Sequence, residues 1–524
     1  MGVVIGNKCN AFLSFTDKTK DYLCIFAVDL SPQIIMTITE LQQFYTAHPN
    51  VEGMSRLLKN TSIRHLYCGG LCASAASLFS SVLVRRGECP FVFILGDLEE
   101  AGYFYHDLTQ VLGTEQVLFF PSSFRRAIKY GQKDAANEIL RTEVLSRLQK
   151  GEEGLCIVTY PDALAEKVVS RKELGDKTLK LHAGEKVDMN FITEVLRSYG
   201  FEYVDYVYEP GQYAVRGSII DVFSFSSEFP FRIDFFGDEV ESIRTFEVET
   251  QLSKERKESI VIVPDLSHSL EKRGSGGMVS FLDFLPSDSL LAMRDFLWLR
   301  ERIQTVHDES LTPQAIAARE SEENGAITLE GKLIDGGEFT LRALDFRRME
   351  FGNKPTGTPD ATVSFHTTVQ PIFHKNFDMV AESFREYLSR HYTIYICSDS
   401  LKQTDRIRAI FEDRGDNISF TAVERTLHEG FADDTLRICI FTDHQLFDRF
   451  HKYNLKSDKA RSGKVALSLK ELNQFTPGDY VVHTDHGVGR FAGLVRIPNG
   501  DTTQEVMKIV YQNDDVVFVS IHSL

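Results

Sequence analysis

The sequence predicts an α/β multidomain protein, and three observations support this fold class. Strand-like and helix-like stretches alternate from about residue 36 to 205, which is typical of a parallel sheet covered by helices. Between about 207 and 250 the hydrophobic period changes to two, as an inserted antiparallel sheet requires. After Pro477-Gly478 the chain consists of short alternating stretches separated by turn residues, which predicts a small β-barrel.

Length and charge favour a multidomain protein with protein partners. A chain of 524 residues predicts roughly three to five domains. Its 58 Lys and Arg against 75 Asp and Glu give a net charge of -17. Wide non-specific phosphate binding depends on clustered positive charge, so this balance argues against a grip on DNA along the whole chain. Scattered cysteines and the lack of an apolar run of about 20 residues predict a cytoplasmic protein that does not span a membrane.

The first α/β unit follows an expected N-terminal extension, residues 1–35, and its elements are predicted from apolar periodicity and turn residues. Its predicted helices are Thr39–Ala47, Ala73–Arg85, Leu98–Leu112 and Ala163–Val169, and its predicted strands are Phe91–Leu95 and Leu155–Thr159.

The later elements follow the same rules. The predicted strands are Tyr213–Phe223, Phe231–Phe236, Glu239–Phe246, Thr393–Cys397, Leu436–Thr442, Asp479–His483, Gly489–Val495, Val506–Tyr511 and Val516–Val519, and the predicted helices are Ser289–Val306, Phe377–Leu388 and Leu401–Arg414. The basic run from Lys452 to Lys464 indicates a solvated linker, with a nucleic-acid contact as the alternative.

A degenerate phosphate-binding loop lies between a predicted strand and helix. The working motif is G-x-x-x-x-G-K-[ST], in which backbone N–H groups and the lysine hold phosphates. Here Gly70 and Ser77 fit, but Ala75 replaces the second glycine and Ala76 replaces the lysine. Without the ammonium group the phosphate charge has no partner. We therefore expect no nucleotide hydrolysis, no catalytic residues and no cofactor in this chain.

A second motif covers Glu209–Phe223 and Phe231–Phe246. Strand alternation places Phe231, Ile233 and Phe235 in a core and Arg232, Asp234 and Phe236 on the opposite face. An aromatic ring beside an arginine on a polar face is a residue combination that anchors protein interfaces, although isolated surface aromatics are also common.

A third motif, Pro477–Leu494, contains His483 and His486 on either side of Asp485. No third ligand follows at a suitable spacing, and Gly487 with Gly489 favours a tight turn between strands, so we predict no metal site.

The second motif resembles the UvrA-binding domain that UvrB shares with the transcription-repair coupling factors. UvrB keeps a working phosphate-binding loop, so the degenerate loop favours the coupling factors, of which this chain resembles the N-terminal half. The resemblance implies that UvrA contacts Arg216, Arg232 and Phe236.

The third motif is similar to the Tudor-like RNA polymerase-interaction domain of CarD-type regulators and coupling factors. The resemblance implies binding to the polymerase β subunit through a strand edge and an apolar contact at Ile497. Leu427–Phe431 and Phe441–Arg449 resemble the family's third domain, although Asp448 replaces its usual glycine.

The resemblance also implies boundaries and a role. We expect a monomeric scaffold that recruits repair proteins to stalled polymerase. ATP, Mg²⁺ and double-stranded DNA are expected to belong mainly to a motor beyond residue 524. The alternatives are a UvrB-like helicase subunit and a CarD-type regulator without a repair role. The expected segments are 1–35 (extension), 36–205 (domain 1a), 206–255 (UvrA-binding domain), 256–360 (domain 1b), 361–450 (third domain), 451–474 (basic linker) and 475–524 (polymerase-interaction domain).

Overall fold

The computed structural model describes residues 35–123, 135–248, 250–266, 277–312, 331–449, 451, 453, 455, 478–483, 487–499, 502–511 and 515–520. Within these ranges the chain forms a mixed α/β structure in which the strands fall into six sheets.

The helices begin mostly at polar capping residues. Asp97, Asp295 and Asp335 each accept a hydrogen bond from the backbone N–H three residues further on, which satisfies a donor that the first helical turn leaves free. The helices are α1 (Ile38–Thr46), α2 (Pro49–Lys59), α3 (Ala75–Arg86), α4 (Leu98–Leu112), α5 (Ala135–Gln149), α6 (Pro161–Ala165), α7 (Arg171–Asp176), α8 (Met189–Ser198), α9 (Phe296–Ser310), α10 (Gly336–Ala343), α11 (Phe377–Ser389), α12 (Leu401–Asp413) and α13 (Asp443–Leu446).

The strands are numbered in chain order. They are β1 (Ile35–Thr37), β2 (His65–Gly69), β3 (Phe91–Ile94), β4 (Val117–Phe120), β5 (Cys156–Thr159), β6 (Val168–Val169), β7 (Leu179–His182), β8 (Glu202–Tyr203), β9 (Gln212–Arg216), β10 (Ile219–Val222), β11 (Phe231–Phe236), β12 (Glu239–Phe246), β13 (Ser253–Lys257), β14 (Ser259–Ile262), β15 (Met278–Val279), β16 (Leu290–Met293), β17 (Arg347–Glu350), β18 (Ala361–Ser364), β19 (Thr367–Val369), β20 (Thr393–Ser398), β21 (Thr421–Glu424), β22 (Phe431–Asp433), β23 (Ile438–Thr442), β24 (Tyr480–His483), β25 (Gly487–Asn499), β26 (Thr502–Val510) and β27 (Val516–Ser520).

The largest sheet is parallel throughout, with the strand order β18-β2-β17-β16-β3-β5-β4. Its central strands β3, β5 and β16 are buried along their whole length, because helices cover both faces of a parallel sheet. Strands from the segments 36–205 and 256–360 lie side by side in it, and β18 joins it just after residue 360. The sheet is therefore assembled from both sides of the inserted antiparallel segment.

The antiparallel sheet has the order β13-β12-β11-β10-β9-β8, in which only the short β8–β9 pair is parallel. One face packs into a core with α8, to which Phe231, Ile233 and Phe235 contribute as the alternation predicts. The opposite face carries the charged residues described below.

A second six-stranded sheet has the order β1-β21-β20-β23-β22-β19, and α11 and α12 pack against it. Its edge strand β1 comes from the start of the described chain and pairs in parallel with β21. The terminal sheet is antiparallel, with the order β24-β25-β26-β27 and a small core of Phe491, Met507, Ile509 and Val519.

Three predicted elements are wrong. The predicted helix Ser289–Val306 is the strand β16 followed by α9, because a short apolar run inside a parallel sheet looks the same as a buried helical turn. The predicted strand Tyr213–Phe223 is the hairpin β9–β10, which turns at Gly217 with φ 60°. The predicted helix Ala163–Val169 is the end of α6 and the strand β6.

Candidate functional site

Two of the predicted contact residues, Arg216 and Arg232, meet on the charged face of the antiparallel sheet. Asp221 lies opposite Arg232 in the β10–β11 ladder, and its carboxylate forms salt bridges to both arginines. The Asp221 side chain is 1% exposed, whereas those of Arg216 and Arg232 are 35% and 15% exposed. The buried carboxylate therefore fixes two partly exposed guanidinium groups side by side.

Arg232 is held most firmly. Its Nε and Nη2 donate to the two oxygens of Asp221 at 2.8 and 2.9 Å, and its Nη1 donates to the carbonyl of Gln251 at 3.1 Å. Its guanidinium lies over the ring of Phe246, 4.5 Å from the centroid. The hydrogen bonds to Asp221 raise the pKa of Arg232, so the group stays charged. This two-point geometry leaves the guanidinium little freedom before a partner arrives.

Arg216 is less constrained and more accessible. Its guanidinium lies 5.0 Å from the ring centroid of Tyr206, a side chain that is itself half exposed. Arg244 and Asp234 form a further ion pair on the same sheet, and Ser242 donates to Asp234 at 2.7 Å. The face is thus a set of ion pairs bordered by aromatic rings.

Phe236 lies at the end of the β11 strand, four residues after Arg232 and therefore on the same face, about 13 Å along the strand. Its side chain is 80% exposed, and Gly237 turns the chain immediately afterwards with φ 63°. An aromatic side chain held in water by a tight turn offers a large apolar surface for a partner to bury.

The degenerate loop lies between β2 and α3, as predicted, and other parts of the chain cover it. Gly70 has φ 87°, and a Cβ at this position would overlap the carbonyl oxygen of Phe365. Ala75 and Ala76 are buried at the start of α3, a helix whose N-cap residue Ser74 makes no capping hydrogen bond to it. The side chains that would hold phosphates are therefore missing, and the backbone is already closely packed.

Acidic residues surround the start of α3. Ser77 donates to Asp107 at 2.8 Å, and the same carboxyl accepts the backbone N–H of His428 at 2.7 Å. The backbone N–H of Glu429 donates to the Ser74 hydroxyl at 3.0 Å. Burial raises the pKa of Asp107 to about 6 and also raises the pKa of Glu429.

The space that remains beside the loop does not suit phosphate. It is a cavity of about 290 Å³ in which Arg294 is the one cationic residue among the described residues of the lining, and this arginine is paired with Glu100. The other charged groups of the lining are carboxylates: Asp97, Glu99, Glu100, Asp107 and Glu429. They would repel a polyphosphate.

The terminal sheet has an exposed apolar face. Tyr480, Val482, Val488 and Phe518 are at least half exposed and come from three of its four strands, including both edge strands β24 and β27. The backbone of Ile497 pairs with Gln504 in the β25–β26 ladder, and its side chain lies outside the described residues. The predicted absence of a metal at His483 and His486 falls outside the described residues as well. The structure describes only the backbone of His483, and it does not describe Asp485 or His486.

Sequence reasoning singled out both arginines and Phe236 as predicted contact residues but missed Asp221, the residue that positions the arginines. The sequence did contain a signal for Asp221. Once the turn between β9 and β10 is recognised, Asp221 falls on the same sheet face as both arginines, where a carboxylate pairs with them. The six cysteines among the described residues are free thiols. Within the described ranges, no helix combines the length and the apolarity that a membrane crossing requires.

Comparison with known proteins supports the resemblance. The family model of the UvrB interaction domain matches residues 179–268, and that of the CarD-like/TRCF RID domain matches residues 475–524. The transcription-repair-coupling factor of Staphylococcus aureus (strain bovine RF122 / ET3-1) is 23% identical, and that of Bacillus subtilis (strain 168) is 22% identical. Each alignment covers 87% of this chain and 44% of the relative. The predicted resemblance is confirmed, and the chain spans less than half the length of the curated relatives that it matches.

Proposed function

We propose that this chain is the docking scaffold of a transcription-coupled nucleotide excision repair factor. Its antiparallel sheet binds UvrA, and its terminal sheet binds the β subunit of RNA polymerase. The matches to the UvrB interaction and RID family models support these two partners. A chain that holds both partners raises the effective concentration of repair proteins at a stalled polymerase.

One observation carries the proposal for UvrA: two oriented guanidinium groups and an exposed aromatic ring on a single sheet face. Arg216 and Arg232 share the buried Asp221, and Phe236 is 80% exposed. Charged pairs give an interface its register, and a buried aromatic anchor supplies much of the affinity. We assign the UvrA contact to these three residues.

For the polymerase we propose that the terminal sheet belongs to a Tudor-like barrel and that Ile497 makes the apolar contact. The exposed apolar face at Tyr480, Val482 and Phe518 supports a protein partner at this end of the chain.

The parallel sheet is proposed to be a P-loop-like domain that has lost its nucleotide site, so the chain is not an enzyme by itself. The carboxylate-lined cavity beside the loop supports this. ATP, Mg²⁺ and most of the contact with double-stranded DNA are assigned to a motor outside this chain, and we place the protein in the cytoplasm as a monomer.

The test is a titration of the 524-residue chain with purified UvrA and, separately, with the polymerase β subunit. We expect both to bind. Phe236→Ala should weaken UvrA binding by about 30-fold, which corresponds to about 2 kcal/mol for a central anchor, and should leave β-subunit binding unchanged. Ile497→Glu should do the reverse.

Phe191→Ala is the matched control, since Phe191 is an exposed phenylalanine on α8, the helix that packs on the other face of the same sheet. Binding of the β subunit without any affinity for UvrA would favour the CarD-type regulator. ATP turnover by the chain would favour the UvrB-like helicase subunit.

A further inference from the structure

Four histidines come together where the loop after β21 meets α4, one from α4 and three from the chain after β21. His106 lies on α4, His428 follows β21, His444 lies on α13, and His451 follows it. His428, His444 and His451 each offer a ring nitrogen, and these three atoms all lie within 4.8 Å of one another. The ring of His106 lies 5.0 Å from that of His451, centroid to centroid. We propose that His428, His444 and His451 bind a divalent transition-metal ion, with zinc as the fitting member of the class.

The first argument concerns unused nitrogen atoms. His428 Nδ1, His451 Nδ1 and His106 Nε2 are buried and have no hydrogen-bond partner among the described residues. A buried polar atom without a partner is destabilising, and such atoms cluster where water or an ion completes the structure. Two of these nitrogens belong to His428 and His451, whose rings offer atoms within 4.8 Å of one another, and such a pair favours a ligand that accepts several lone pairs at once.

The second argument concerns the protonation of His444. Its Nε2 lies 2.8 Å from the carbonyl oxygen of His428, so this nitrogen donates its proton there and Nδ1 keeps a lone pair. Metal-binding histidines commonly donate their second N–H to a backbone carbonyl, which fixes the tautomer and the ring orientation. His444 already has this arrangement.

The surroundings keep the rings neutral, as metal ligands must be. The His444 ring is buried and those of His428 and His451 are partly buried, and burial disfavours the charged imidazolium form. Asp399 and Asp443 lie close enough to act on the His451 ring, so negative charge is available near a bound cation.

Binding requires a modest movement of the side chains. Zn–N bonds of about 2.0–2.1 Å place two nitrogens of a tetrahedral site about 3.4 Å apart, so the present separations of up to 4.8 Å must shorten by up to about 1.4 Å. The rings of His444 and His451 are now stacked at 4.4 Å between centroids, and this stack must open. The ring of His106 lies 5.0 Å from that of His451 between centroids and has an unpartnered Nε2, so His106 is a candidate for a fourth ligand.

An ion here would link three separate segments of the chain. Tyr103 on α4 stacks on His428 at 3.5 Å between centroids and donates to the carbonyl of His451 at 2.7 Å. The site therefore sits at the contact that also covers the degenerate loop, through His428 and Glu429.

The experiment uses the whole 524-residue chain after treatment with a chelator. Zinc ion is titrated in competition with a chromophoric chelator, and cobalt ion serves as a probe because its visible absorption reports the coordination number. We expect one Zn²⁺ per chain, a rise in Tm of about 5 °C at saturating zinc, and a low-coordinate cobalt spectrum.

His451→Asn should weaken zinc binding by at least about 100-fold, since even changes around the ligands cost 10–100-fold. His374→Asn, at an exposed histidine elsewhere, is the matched control and should bind zinc as the wild type does. His444→Asn is the second ligand variant, and its melting curve without metal shows whether it folds; if it does not, His451→Asn decides. No zinc binding by the wild type, or equal affinity in His451→Asn, would overturn the proposal. Neither readout depends on UvrA or polymerase.

Discussion

Asp221 positions the two arginines of the antiparallel sheet, so its replacement by alanine tests that arrangement directly. Removing one partner of a buried ion pair costs about 3–5 kcal/mol, because the remaining charge is left uncompensated. Here the Arg216 and Arg232 side chains are 35% and 15% exposed, so water replaces part of the lost interaction. We therefore expect Asp221→Ala to destabilise the sheet by about 3 kcal/mol, near the lower end of that range.

Amide hydrogen exchange read at β9, β10 and β11 is the suitable assay, because it reports the opening of this sheet and not the melting of the other units. A loss of about 3 kcal/mol corresponds to exchange about 150-fold faster. UvrA binding should weaken in the same variant, since the guanidinium groups lose their fixed orientation. The control is Glu255→Ala, which removes an exposed pair with Lys257 and should change exchange by less than about fivefold. Exchange less than tenfold faster in Asp221→Ala would refute the reasoning.

Three further predictions concern the covered loop. Burial raises the pKa of Asp107 from 3.8 to about 6, so the contribution of this group to stability is complete below about pH 4 and disappears as the pH rises through 6. Between pH 4 and 7 the wild type should therefore lose up to about 3 kcal/mol of unfolding free energy relative to Asp107→Asn. The Tm difference between the two proteins across this pH range measures the loss. An unchanged difference would contradict this. Gly70→Ala should lower stability by clearly more than about 1 kcal/mol, whereas Gly87→Ala, with φ 64° and open space, should stay near that value in the same melting assay. Restoring the motif with Ala75→Gly and Ala76→Lys should still give no ATP hydrolysis in a phosphate-release assay, because carboxylates line the cavity; measurable turnover would exclude our explanation.

The regular part of the fold could be read from the sequence. The helix Leu98–Leu112 and the strand Glu239–Phe246 have the predicted bounds, because each has a clear hydrophobic period and a turn residue at an end. The strand β16 could not be separated from the helix after it, since its apolar residues are buried on both faces of a parallel sheet.

The candidate-site residues were likewise predictable where they share one element and unpredictable where distant segments bring them together. Arg232 and Phe236 share one strand, so local alternation predicts their common face. The histidine cluster depends on residues more than 300 positions apart, His106 and His428, and no local pattern connects them. Asp107 and Glu429 likewise approach the loop only through packing between distant segments.

The pairing of β1 with β21 has a consequence for how the protein is made. Ile35 pairs with Ala422, so one edge of that sheet is synthesised well before the strand that it pairs with. At about 5–20 residues per second, the ribosome needs roughly 20 to 80 s to produce the partner strand. During that interval the early segment has an unpaired backbone, which is an opportunity for wrong strand association. A chaperone that covers the early segment on the ribosome would therefore favour the correct assembly of this sheet.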